Sequence, residues 1–160
     1  MTNMDPMKII EKHWKKIPVP IFDIIQEIGL KLDFRSLDEN ISGWIERKNG
    51  GVYEIVVNSN HSENRRRFTA AHELAHYIYH RYLLGEGVSD SKAYRSLETK
   101  LHNRQITIAH ERQANSFAAN ILMPSHALAN ISETENIALL AQKFIVSEQA
   151  MRIRLGRQTN

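Results

Sequence analysis

The pentapeptide His72-Glu73-Leu74-Ala75-His76 constrains this chain more than any other stretch. Its surroundings favour a helix, with Ala70, Ala71, Leu74 and Ala75 all good helix formers. Residues four apart share one helical face, so the two imidazoles can address the same point in space. That spacing suits one bound metal ion. Glu73 points to a neighbouring part of the face, from which it can reach a water on the ion without becoming a ligand. Zinc lowers the pKa of such a water to about 7, and a carboxylate placed there takes its proton. Phe68, Ala71, Ala75, Ile78 and Tyr82 form an apolar stripe beside the histidines, which predicts that this helix is built into the core.

On an exposed amphipathic helix the same five residues would carry no chemistry, so a third donor decides the matter. Catalytic zinc usually takes three protein ligands plus water. One known arrangement places a third histidine six residues after the second, with a glycine halfway; here those places hold Tyr82 and Tyr79. His80 lies eight residues beyond His72, about 12 Å along a helix axis. Nitrogens about 2.1 Å from one ion cannot easily come from both, which leaves His80 a surface or supporting role. A glutamate on a later helix is the other common solution. Glu111 fits, near the start of a segment with a core face made by Ala114, Phe117, Ala118, Ile121 and Leu122. Asn115, one turn on, is placed to orient His72 or His76 through the other ring nitrogen. On position alone, Asp90, Glu98, His102 and His110 compete with Glu111.

The rest of the chain reads as a frame for that helix. Asp5-Pro6 marks the cap and first turn of a helix carrying Ile10, Trp14 and Ile17. Pro18-Val19-Pro20 breaks it. Ile21, Ile24, Ile25 and Ile28 line a second helix that Gly29 stops. From Lys31 the apolar period becomes two, and Ile41 to Lys48 and Val52 to Asn58 read as two further strands. Asn49-Gly50-Gly51 between them is a strong hairpin signal. Arg65, Arg66 and Arg67 read as a solvated face. Between Gly85 and Ile106 the periodicity is weak, with a helical stretch expected around Ser91 to Leu101; ordered connections this long often serve as lids. The tail from Thr134 reads as two short helices, with Ser147 capping the second.

At 160 residues with no cysteine, the chain has no disulfide framework and no cysteine-based zinc finger. The net charge of +3 is too small to indicate nucleic-acid binding by itself. Nothing resembles a signal peptide and no apolar run could span a bilayer, so a cytoplasmic location is expected.

Two blocks together carry a family resemblance. Arg66-Arg67-Phe68-Thr69-Ala70-Ala71-His72-Glu73-Leu74-Ala75-His76, followed by Glu111-Arg112-Gln113-Ala114-Asn115-Ser116-Phe117-Ala118-Ala119-Asn120-Ile121-Leu122-Met123-Pro124, resembles the ImmA/IrrE metallopeptidases. Ala75 stands where glycine is common, and Ile121 where leucine is usual. The resemblance implies that Glu111 is the third metal ligand with His72 and His76, and that Glu73 is the catalytic base. The cofactor is then one divalent ion, zinc or another such as manganese. With the strands and helices read above, the expected fold is α+β: a small antiparallel three-stranded sheet on a helical core, which the resemblance makes zincin-like, plus a C-terminal helical pair. Residues 1–133 would form the peptidase domain, with 134–160 a helix-turn-helix-like hairpin packed on it. The family's partners are protein substrates, helix-turn-helix repressors cut to switch on genes of phage-like or mobile elements, and no membrane is involved. A repressor-binding or DNA-binding regulator with little turnover is the alternative.

Two features bear on these alternatives. Direct nucleic-acid binding is not expected of the tail, because Arg152 and Arg154 diverge around a helix and Ile145 stands where the turn commonly has glycine. A β-branched residue there disfavours the left-handed conformation, so a different turn is expected. Donors to a developing oxyanion are sought among His110, His126, Tyr77 and Tyr79.

Overall fold

The computed structural model describes residues 4–84, 92–94 and 105–157. The chain opens with α1 (Pro6–His13) and α2 (Ile21–Ile28). Asp5 caps α1, accepting from the Met7 N–H at 3.0 Å, and Pro6 opens its first turn. Gly29 ends α2 in the left-handed conformation, with φ of 98°. Strand β1 (Lys31–Arg35) follows, then β2 (Gly43–Arg47) and β3 (Tyr53–Asn58). Gly50 and Gly51 both take positive φ at the β2–β3 turn, and Lys48 N–H donates back to Val52 C=O at 2.7 Å.

The fold class is α+β, as expected, but the sheet differs from an antiparallel three-stranded one. Its order is β1-β3-β2-β4, where β4 is Lys92–Tyr94. β1 runs parallel to β3, while β2 pairs antiparallel with both β3 and β4. The hairpin slots β3 between β1 and β2, because residues 36–42 carry the chain across one strand's width before β2 begins. A period of two says which residues face the core, not which neighbour a strand pairs with. The strand at 92–94 also replaces the start of the helix expected around Ser91 to Leu101; the rest of that stretch lies outside the described residues.

Asn58 holds the crossover in place. It is fully buried, and its side-chain nitrogen donates to the carbonyls of Asp38 and Ile41 at 3.0 and 2.8 Å. Its oxygen accepts from the Asn60 N–H at 3.0 Å and the Leu37 N–H at 3.3 Å. The crossover in turn lays Leu37 and Ile41 over Trp44 and Val56 on one face of the sheet. On the other face, Ile45, Ile55 and Val57 join the main core.

That core lies under α3 (Glu63–His80) and α4 (Ile108–Leu122). Of the three arginines expected to form a solvated face, Arg67 is buried instead. Its guanidinium donates to Val19 C=O at 2.8 Å, tying α3 to the linker before α2. Burial pushes its pKa down. A short helix α5 (Ser125–Leu128) then leads to α6 (Ile137–Phe144) and α7 (Glu148–Arg154).

The α6–α7 turn overturns one expectation. Ile145 does take the left-handed conformation, φ 50° and ψ 60°. Val146 N–H closes the turn on Ala141 C=O at 3.0 Å. Phe144 and Val146 on either side are buried in the main core. Burying two such side chains contributes about 3–6 kcal/mol, more than the roughly 1–2 kcal/mol of left-handed strain. Arg154 and Arg157 also turn inward. Arg154 donates to Met123 C=O at 3.0 Å, beyond the end of α4, and Arg157 to Ser132 C=O at 2.7 Å.

Asn58→Ala should remove the donors and acceptor that hold residues 36–42. The expected loss is about 2–4 kcal/mol of unfolding free energy, read from urea denaturation. A loss under about 0.5 kcal/mol would show that the crossover does not depend on Asn58.

Candidate metal centre

Ser62 starts α3, its side chain accepting from the Arg65 N–H at 3.5 Å. From Thr69 to His76 every residue of α3 is buried. An amphipathic helix would bury one stripe only. Here β2 and β3 cover one side of α3, and α2 and α4 cover others. Small residues permit the close approach: Ala70, Ala71 and Ala75 on α3, and Ala114 and Ala118 on α4. Gly43 of β2 is required for the same reason, since a Cβ there would fall 2.2 Å from Val56 O and 2.9 Å from Thr69 Cγ2.

At the middle of this buried stretch, α3 and α4 bring three side chains together. Glu111 extends from the first turn of α4 so that Oε2 lies 2.9 Å from His72 Nε2 and Oε1 lies 3.2 Å from His76 Nε2. The two Nε2 atoms are 3.1 Å apart. All three ligand-type atoms lie within 4.8 Å of one another. Tetrahedral donors about 2.1 Å from one ion would be separated by about 3.4 Å, close to these distances.

The chemistry of the donors fits a cation. His72 Nδ1 lies 2.8 Å from Asn115 Oδ1, and a ring that donates its Nδ1–H to that oxygen presents the Nε2 lone pair inward. A ring lone pair and an ionised carboxylate converging in a buried place call for a positive charge. Glu73, on the same helix, is 0% exposed.

Of the two roles left open for His80, surface or support, the structure gives it the supporting one. His80, only 1% exposed, sets Nδ1 2.9 Å from His76 Nδ1, and its Nε2 lies 2.8 Å from Gln113 Oε1. Burial lowers the pKa of His80, favouring the neutral ring. The i, i+4 step from His76 to His80 was the one visible signal, and nothing marked Gln113.

Of the rival third ligands, Asp90, Glu98 and His102 lie outside the described residues. His110 is used otherwise: Nδ1 accepts from the Thr107 N–H at 3.0 Å, closing the cap of α4, and its ring lies 4.6 Å from that of His80. Among the other oxyanion candidates, Tyr77 packs edge-on against Tyr53 and beneath Arg81, Tyr79 against Phe117, and His126 near Trp14. None of these contacts singles one out.

The family model described as the IrrE N-terminal-like domain, Peptidase_M78, matches residues 26–156. The chain belongs to that family and is a metallopeptidase of the IrrE/ImmA type. The match runs from α2 through α7, so it takes in the helical pair of the tail. No curated protein matches the chain.

Metal analysis provides the direct check on this geometry. The purified protein should hold about one zinc-type ion per chain near pH 7.5. His76→Ala should lose it. Both imidazoles must be neutral to bind, so wild-type metal content should fall on acidification. Equal metal in the wild type and His76→Ala would contradict the site.

Proposed function

We propose that this member of the IrrE N-terminal-like family hydrolyses a peptide bond in a helix-turn-helix repressor, relieving repression of a phage-like or mobile element. The observation that carries the hydrolytic reading is the enclosure of Glu73 on the helix that presents His72 and His76 to Glu111. In this reading His72, His76 and Glu111 hold one divalent ion, zinc or a similar metal such as manganese. When bound, the ion supplies Lewis acidity, which polarises a carbonyl and makes hydroxide accessible near neutral pH.

The protein's own part is proton transfer and positioning. Glu73 accepts a proton from the attacking water as its oxygen bonds to the carbonyl carbon. As the C–N bond breaks, Glu73 returns that proton to the leaving nitrogen. Asn115 keeps His72 in one orientation. No group is assigned to the oxyanion.

The repressor as substrate is supported by the resemblance of the two motif blocks, and a cytoplasmic location goes with it, since such repressors act there. Among the described residues no helix is long and apolar enough to cross a membrane. The tail is assigned to the peptidase rather than to DNA. Arg154 and Arg157 donate to carbonyls of their own chain, and Arg152 lies 3.8 Å from Glu148. A recognition helix needs polar side chains free to reach base edges together.

Glu73→Gln separates hydrolysis from binding. The amide keeps the shape and cannot take the proton, so metal content should stay near wild type. Cleavage of a repressor encoded next to this gene should drop about 10²–10⁴-fold. Undiminished cleavage would remove Glu73 as the base. A wild-type protein that binds the repressor and never cuts it would favour a regulator without turnover.

A further inference from the structure

We infer that Gln113 and His80 set which nitrogen of His76 carries the ring proton, and thereby how tightly the centre holds a metal; this rests on reading His72, His76 and Glu111 as ligands. The three side chains form a line. Gln113 Oε1 is 2.8 Å from His80 Nε2, and His80 Nδ1 is 2.9 Å from His76 Nδ1. A neutral imidazole has one N–H and one lone pair, so the contacts are not independent.

With Gln113 Oε1 toward His80, the His80 Nε2–H donates to it. His80 Nδ1 is then a lone pair and accepts from the His76 Nδ1–H. His76 Nε2 is left bare and faces His72 and Glu111. The opposite ordering begins with the Gln113 amide nitrogen turned toward His80. Its N–H donates to His80 Nε2, the His80 proton sits on Nδ1, and that N–H donates to His76 Nδ1. His76 then carries its proton on Nε2, aimed at Glu111 Oε1 only 3.2 Å away. This second ordering satisfies the carboxylate with a hydrogen bond and leaves one ligand lone pair fewer. One amide orientation thus separates a centre poised to take a metal from one that holds it more weakly.

Gln113 and His80 are positioning residues, since neither belongs to the ligand set. Asn115 does the same for His72 in a single step. The far end of the line is open to solvent: Gln113 is exposed and borders a cavity of about 320 Å³ with Ile10, Trp14 and Phe117. Substitutions at Gln113 therefore perturb the line without disturbing the core.

The test compares wild type, His76→Ala, Gln113→Glu, Gln113→Met and His80→Phe. Zinc affinity is measured by competition with a chromophoric chelator in about 0.5 M salt, which screens the added charge of the glutamate. Ring ¹⁵N shifts of the metal-free proteins report each histidine's tautomer. Glutamate at 113 can only accept, so Gln113→Glu should keep His76 protonated on Nδ1 and bind zinc at least as tightly as wild type. Gln113→Met and His80→Phe should weaken zinc about 10–100-fold, with His76 moving toward the Nε2–H form. Gln113→Met within about twofold of wild type, or an unmoved His76 tautomer in that variant, overturns the inference. If circular dichroism shows His80→Phe unfolded, the Gln113 pair decides alone. Wild type that takes no zinc, or His76→Ala that takes as much, is a different failure: it removes the ligand assignment itself.

Discussion

The middle of α3 is covered on all sides, and two histidines and a glutamate lie within that covered length. Enclosing titratable groups is costly, several kcal/mol for an ion without compensation. The compensation comes from how the groups are paired. His72 meets Asn115, His76 meets His80, and both face Glu111. Of these partners, all but His80 come from α4, so the α3–α4 contact is what the centre depends on. Alanines on both helices let the axes approach closely enough for side chains from one to reach the other.

The other elements hold α3 against that contact. Gly43 lets β2 come up against Thr69. Asn58 pins the crossover that seats β3 centrally, and β3 places Ile55 and Val57 in the core. Arg67 fastens the start of α3 to the linker before α2, and Arg154 takes the carbonyl at the end of α4. Both arginines bind the chain to itself at the ends of the two helices that carry the site. The tail's apolar residues, Ile137, Leu140, Phe144 and Met151, belong to the same cluster as the helices of the centre. Its hairpin is thereby joined to the peptidase body through packing as well as hydrogen bonds.

The legible part was local. Four-residue spacing put His72 and His76 on one face, and caps at Asp5, Asn49-Gly50-Gly51 and Ser147 were visible as residue types with known turn chemistry. Glu111 stood among rivals until its motif block was compared with a family, because spacing along a chain does not say which helix crosses which. The pairing of β1 with β3 was hidden for the same reason. Arg67 read as solvated because a run of three arginines carries no sign of which one turns inward. Ile145 was misread through propensity: local strain argues for glycine, whereas burial of Phe144 and Val146 decides the turn. Gln113 had no signal, since its part depends on His80 reaching it across two helices.

The central claim is that these side chains form one metal centre. Anomalous diffraction at the zinc edge, from crystals of the zinc-loaded protein, tests it most directly. The account predicts a single strong peak within about 2.0–2.2 Å of His72 Nε2, His76 Nε2 and a Glu111 oxygen. A peak bound elsewhere, or none at these three residues in a protein shown to contain zinc, would contradict it.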